Sequence, residues 1–260
     1  IETTKIYSIA GLLTKETPLI NIRPFRSPHH TSSDVSLIGG GTVPKPGEIS
    51  LAHNGVLFLD EVSEFPRQVL EVLRQPLEDK IVTVARANST IEFPASFTLL
   101  SASNPCHCGY LYETSADSPK KCTCTNSQIM NYQKKISGPI IDRMDIYIEI
   151  KRLSDTELLK YDEGESSAEI KQRVDNARAL QRRRYKSYKT NANMSAAEIK
   201  KYCRLDQSSE TIMKSAIQNL GLSGRGFDKI LRVSRTIADL SNSEDIQKEH
   251  LIEAIGYRKM

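Results

Sequence analysis

Val56-Leu57-Phe58-Leu59-Asp60-Glu61 runs four apolar residues straight into two adjacent carboxylates. A short, wholly apolar run of this kind predicts a strand buried in a parallel sheet. The acids then emerge at the strand's carboxyl end, where open α/β sheets place their ligands. In a nucleotide hydrolase the first acid of such a pair orients Mg²⁺ and its water shell, and the second polarises the attacking water. The plainer alternative is a buried strand that ends in a solvated acidic turn.

Two later stretches extend the pattern. Phe97-Thr98-Leu99-Leu100-Ser101-Ala102-Ser103-Asn104 is a second apolar run, and it ends in a polar amide. Gly138-Pro139-Ile140-Ile141-Asp142-Arg143-Met144-Asp145 leads into Ile146-Tyr147-Ile148-Glu149-Ile150, read as a third strand. The phosphate-cradling pattern G-x-x-x-x-G-K-[ST] occurs nowhere,. Gly39-Gly40-Gly41-Thr42 lacks the lysine and sits too close to the acidic strand. The expectation is a chain that starts downstream of such a loop and binds nucleotide poorly alone.

Four cysteines form two close pairs, Cys106-x-Cys108 and Cys122-x-Cys124. Outside oxidising compartments, paired cysteines read as metal ligands or redox groups. Four thiolates suit tetrahedral Zn²⁺. The loop from about 104 to 126 holds little apolar material, so a structural zinc would supply its order. The alternative is four incidental thiols. His107 reads as a bystander, and Cys203 as a half-buried apolar residue in a helical pattern.

The 260 residues carry 38% apolar and 26% charged side chains, an ordinary soluble balance,. No apolar run approaches the ~18 residues that a membrane span needs. A net charge of +4 and a pI near 8.7 are compatible with nucleic acid without being diagnostic of it,.

The chain changes character near residue 152. Residues 1–152 read as α/β, and residues 153–260 as all-helical. In the first part, Ile6 to Leu13 close a helix, and Ile22 to Ser27 form a strand. The segment from His29 to Pro46 reads as a long loop or insertion. After Pro66, one helix carries Val69, Leu70, Val72, Leu73 and Leu77. Ile81–Arg86 and Thr90–Phe93 form a β-hairpin joined by Ala87-Asn88-Ser89. In the second part Ser195-x-x-Glu198 is a capping box, and Gly221 closes a helix. Ile230 to Leu240 stripe another helix, and Ile246 to Ile255 one more. Arg225 stands at a helix mouth, where it opposes the helix dipole. It is either a solvated surface arginine or, in a lid over nucleotide, a phosphate ligand.

Taken together, these residues resemble the Mg-chelatase-like AAA+ ATPases. The specific stretches are Arg23-Pro24-Phe25-Arg26-Ser27-Pro28-His29-His30, Gly47 through Glu61, Asn104-Pro105-Cys106-x-Cys108-Gly109-Tyr110 and Ser137 through Arg143. Leu222-Ser223-Gly224-Arg225 adds to them. The resemblance implies a truncated P-loop NTPase-type core followed by a helical lid. It implies a homo-oligomeric ring, a hexamer, in the bacterial cytoplasm. That ring would hydrolyse ATP between subunits and drive DNA translocation and branch migration in uptake and recombination of foreign DNA. On the matching positions Asp60 and Glu61 would be Walker B, with Asp60 holding Mg²⁺ through water. Asn104 would be sensor 1, Arg143 the arginine finger for the neighbour's ATP, and Arg225 sensor 2. Hairpins that precede the sensor strand point into the pore in related rings. This makes Lys80 and Arg86, with His29 and His30 in the insertion, the candidate DNA contacts. Arg182-Arg183-Arg184-Tyr185-Lys186 is a denser basic cluster, although helix ends are often basic for dipole reasons. The four-cysteine element argues against the chelatase of chlorophyll synthesis. Two rivals stay open: an AAA+ remodeller acting on protein or metal insertion, and a non-catalytic zinc-stapled interaction module.

Overall fold

Three parallel strands carry the first part of the molecule. The computed structural model describes residues 1–86, 89–112, 121–150 and 164–258. It divides into two units, Ile1–Met144 and Asp145–Met260. The compositional boundary at 152/153 falls outside the described residues.

In the first unit, strand β1 (Phe25–Arg26) is followed by helix α2 (Asp34–Ile38), strands β2 (Gly39–Gly40) and β3 (Lys45–Pro46), helix α3 (Glu48–Leu51) and strand β4 (Val56–Leu59). Helix α1 (Glu2–Ala10) precedes them and ends on Gly11 in the left-handed region. After β4 come α4 (Arg67–Glu71), α5 (Arg74–Asp79), the hairpin β5 (Ile81–Arg86) and β6 (Ser89–Pro94), strand β7 (Thr98–Ser101), α6 (Asn126–Gln133) and α7 (Gly138–Ile141). The sheet order is β1-β4-β7, all parallel, with Phe25 opposite Val56 and Leu59 opposite Ser101. Parallel neighbours require crossovers, and the intervening helices supply them.

The apolar run earns its central position by burial. Leu57 and Leu59 are fully buried, while Val56 and Phe58 on the opposite face are half-buried. Leu57 and Leu59 pack with Ile49, Phe65, Leu70, Leu73 and Ile140, and with Val82, Val84 and Phe93 from the hairpin. Gly55 feeds the strand because nothing larger fits. A Cβ there would lie 2.0 Å from the Pro24 carbonyl oxygen. That carbonyl accepts from the Val56 N–H at 2.8 Å.

Three expectations need correction. Ile146–Ile150 is not a strand: the Tyr147 N–H goes to the Tyr257 carbonyl at 2.8 Å, and Ile146, Ile148 and Ile150 stay exposed. No strand among the described residues offers this run a ladder, and β1 is the third member of the sheet instead. The single helix expected after Pro66 is two helices. Pro76 cannot donate to the Val72 carbonyl, and its ring crowds that carbonyl, so the helix breaks at Val72-Leu73,. The segment from His29 to Pro46 is not plain loop. Ser33 caps α2 through the Ser36 N–H, and β2 pairs antiparallel with β3.

The second unit is helical: α8 (Ser167–Tyr185), α9 (Ala196–Tyr202), α10 (Gln207–Leu220), α11 (Gly224–Leu240) and α12 (Lys248–Gly256). Side-chain caps start four of them. Ser166 with Glu169, and Ser195 with Glu198, form capping boxes. Asp206 and Ser223 accept from Ser209 and Gly226 N–H groups. Gly221 ends α10 in the left-handed region, as expected,. Ile199, Met213, Ile230, Leu231, Ile237 and Leu251 fill the core.

Candidate functional site

The acid pair sits on a turn zipped to the neighbouring strand's end. Beyond the paired strands the Ala102 N–H donates to the Leu59 carbonyl (3.0 Å), and the Val62 N–H donates to the Ala102 carbonyl (2.9 Å). Asp60 and Glu61 are displayed between those two bonds, and both are exposed. Glu61 adopts a left-handed backbone (φ 49°). Such a conformation costs a non-glycine residue roughly 1–2 kcal/mol and favours functional turns. The Asp60 carboxylate offsets part of that cost by accepting from the Glu61 N–H at 2.9 Å.

Asn104 follows β7 by three residues, so it emerges at the same sheet edge as the acids. Its approach is fastened twice. The Ser63 and Ser103 hydroxyls meet at 2.6 Å. Tyr132 of α6 is buried beside both serines, and burial raises its phenol pKa. Past the amide, the Gln133 amide donates to the Pro105 carbonyl at 3.1 Å.

His30 was expected to be a DNA contact. Its ring is half-buried, 3.5 Å from the Glu61 carboxylate and edge-on to Phe65. His29 is exposed, stacks on His30 with ring centroids 4.0 Å apart, and meets the Thr31 hydroxyl at 2.9 Å. Sequence reasoning missed the link between His30 and Glu61, which joins residues thirty-one positions apart. Lys80 is exposed in a left-handed C-cap after α5. Arg86 ends β5, and its side chain lies outside the described residues, as does the turn at 87–88.

Arg143 follows α7. It ion-pairs with Glu78 of α5 and donates to the Pro139 carbonyl at 2.7 Å. Its side chain is only 16% exposed. Arg225 lies in the second unit, in the first turn of α11, and is exposed.

The four cysteines converge. All four sulfurs lie within 4.8 Å of one another. Cys106–Cys108, Cys108–Cys122 and Cys106–Cys122 separations are 3.4, 3.6 and 3.8 Å. Tetrahedral thiolates ~2.3 Å from a zinc stand about 3.8 Å apart, so this cluster can hold a metal. Backbone N–H groups of Tyr110 and Thr123 pull the Cys108 thiol down to about 6, toward the thiolate that a metal needs,. The middle of the loop, residues 113–120, lies outside the described residues. His107 is exposed and 3.9 Å from Glu64, away from any sulfur role. Cys203 is buried in the second unit, and burial pushes its thiol up to about 11.

Among the described residues, no helix is long and apolar enough to cross a membrane. Comparison with known proteins places this geometry. Residues 1–158 match the family model "Magnesium chelatase, subunit ChlI", and residues 164–258 match its C-terminal model. The competence protein ComM of Haemophilus influenzae is 44% identical over the whole chain and 50% of its own length. YifB of Salmonella typhimurium is 43% identical over 91% of this chain and 45% of its own length. A maternal DNA replication licensing factor, mcm6 of Xenopus tropicalis, is 22% identical over 82% of this chain and 25% of its own length. The chain spans about half the length of the nearer relatives named here. With its parallel sheet, displayed acid pair and helical C-terminal part, the chain belongs to the magnesium chelatase subunit ChlI family of AAA+-like proteins.

Proposed function

We propose that this chain is the ATP-hydrolysing, DNA-moving part of a ring-shaped motor, a homo-oligomer with six subunits. One observation carries the reading: Asp60, Glu61 and Asn104 leave adjacent parallel strands at one edge, on turns zipped by shared hydrogen bonds. The exposed carboxylates are hard oxygen donors that suit Mg²⁺, which supplies charge neutralisation on the transferring phosphoryl group. Glu61 orients the attacking water and takes its proton. Asn104 hydrogen-bonds the phosphate oxygens. Arg143 exchanges Glu78 for the γ-phosphate bound to the neighbouring subunit, and Arg225 clamps phosphates from the helical unit. Zinc held by Cys106, Cys108, Cys122 and Cys124 orders the loop after Asn104. Lys80, Arg86, His29 and His30 contact DNA in the pore. Relatives named for competence and for DNA replication licensing support DNA as the track.

The absence of a phosphate-cradling lysine loop from these residues means that the chain alone binds ATP weakly. Micromolar ATP binding by the isolated chain would contradict this. The family model's name favours one rival, a remodeller that serves metal insertion. DNA-stimulated ATP hydrolysis by the full-length natural protein decides between them. A rate that DNA leaves unchanged removes the motor reading.

A further inference from the structure

The second unit carries a dense run of basic charge. Residues 178–204 carry nine lysines and arginines against a single acid, Glu198, in a chain whose total net charge is +4. The structure sorts these cations. Arg184 turns inward to the buried Asp239, and Lys189 is held by Glu198 at 2.6 Å. Arg182, Arg183, Lys186, Lys200, Lys201 and Arg204 are exposed. The Tyr185 and Tyr202 rings meet edge-on at 5.7 Å, which brings the carboxyl ends of α8 and α9 together. Lys201 lies over the Tyr202 ring, 5.0 Å from its centroid. Lys201, Tyr202 and Arg204 share an open cleft with Arg184, and Glu244 and Asp245 form its acidic side. Tyr188, just beyond α8, is 91% exposed.

We infer that the joined ends of α8 and α9 form a docking surface for a single-stranded nucleic-acid backbone, built from residues other than the proposed pore contacts. Helix dipoles explain only part of this charge. Their effect is confined to the last turn, whereas Lys186, Arg204 and Tyr188 lie outside the helices. None of the six exposed cations stands in a described ion pair, and only Arg182 feels a nearby acid, Asp175, which leaves the other five uncompensated. Phosphates would follow the basic wall, because Glu244 and Asp245 repel them from the other. Tyr188 offers a face on which a base can stack. A membrane surface fits less well: in 178–204 the only exposed large apolar side chain is that tyrosine, so nothing is available to insert,. The inference rests on the motor reading for its choice of polyanion, but it names a contact which that reading does not require.

The test uses the full-length natural protein and a fluorescent poly-dT oligonucleotide, titrated at several salt concentrations. Single-strand binding weakens with a slope near 0.7 per phosphate contacted. The combined change Lys186→Glu, Lys201→Glu and Arg204→Glu is expected to lower that slope by about two and affinity at low salt at least tenfold. Tyr188→Ala should weaken binding about fivefold or more. Lys214→Glu with Lys248→Glu, exposed cations elsewhere on the unit, should change neither. Should the triple variant fail to fold, lysine acylation of the unaltered protein gives the same answer: DNA must protect Lys186, Lys200 and Lys201 and leave Lys214 reactive. Unchanged slope or absent protection overturns the surface. If Lys80→Glu abolishes binding at the same time, the motor reading survives. Binding to phosphatidylserine vesicles with none to the oligonucleotide overturns both.

Discussion

Replacing Asp239 by asparagine should loosen the helical unit by about 3–5 kcal/mol, the usual loss when one partner of a buried ion pair is removed. The structure makes the site severe. Asp239 is 2% exposed and Arg235 is 2% exposed. The carboxylate accepts from Arg184 (2.8 Å), Arg235 (3.2 Å) and the Asn191 amide (2.8 Å). Arg235 is almost wholly screened from water, although it borders the cleft that Arg184 and Arg204 line. Its remaining donors go to the Ser243 and Glu244 carbonyls at 2.6 and 2.7 Å. Asparagine keeps the shape but leaves two cations around a neutral amide, one of them wholly buried. Because the chain has two units, a single unfolding transition is not assured. Amide exchange along α11 is the better assay. At about 1.4 kcal/mol per decade, protection of Ile230 to Ala238 should fall by roughly two to three and a half decades. The joint replacement Arg184→Met, Arg235→Met and Asp239→Leu should recover most of the loss, since packed apolar side chains often match a buried ion network. A loss below about 1 kcal/mol in Asp239→Asn would refute the reasoning, because it would mean that water from the cleft solvates Arg235 well enough to replace the carboxylate.

In the full-length protein, Arg143→Ala should keep ATP binding and lose about 10³-fold or more in turnover, the range for an arginine finger. Unchanged turnover removes Arg143 from that role. Glu61→Gln should trap ATP unhydrolysed, because an amide cannot accept the water's proton. Filter binding with labelled ATP reads this, and normal product release would count against it. In the metal-free chain at neutral pH, iodoacetamide should modify Cys108, lowered to about 6, well before Cys203, raised to about 11,. Added zinc should protect the four-cysteine loop, and labelling indifferent to zinc would show that those thiols hold none. Glu198 is lowered from 4.5 to about 2, first by Lys189 and then by the Ser195 N–H and hydroxyl. A carboxyl with a depressed folded pKa contributes stability above its ordinary value and loses it as pH falls. The start of α9 should therefore fray as pH drops from about 4.5 toward 2, read from amide exchange, and Lys189→Ala should shift the onset upward.

What could be read from the sequence depended on the range of the forces involved. Val56–Leu59 and Ile146–Ile150 look alike locally, yet only the first is a strand. A strand needs a neighbour's backbone, and nothing in a single run says whether one is present. Caps such as Ser195 with Glu198 act over three residues, so they were legible. Pro76 was equally local, and its break in the helix after Pro66 was available to a closer reading. The pairing of Arg143 with Glu78 spans sixty-five residues, and that of Arg184 with Asp239 fifty-five. Neither leaves a trace in spacing, so the sequence offers Arg143 only as an arginine finger and Arg184 only as part of a basic cluster, with no sign of either partner. The cysteines were legible despite their separation, because metal chemistry fixes both the residue type and the close pairing.

The acid pair and the cysteine loop are mechanically one assembly. Ser63 belongs to the turn that displays Glu61, and Ser103 precedes Asn104. Their hydroxyls bond each other beside the buried Tyr132 of α6. Helix α6 begins immediately after Cys124, on a capping box made by Thr125 and Gln128. At its far end Gln133 grips the carbonyl of Pro105, one residue from the buried Cys106. The chain thus leaves Asn104, passes the thiol cluster, and returns through α6 to clamp the point it left. An ordered cluster shortens the slack in that loop, and less slack means a narrower range of positions for Asn104. On the proposed reading, in which Asn104 senses phosphate, a metal on these thiols would act on that residue through backbone geometry, with no sulfur near the reacting atoms required.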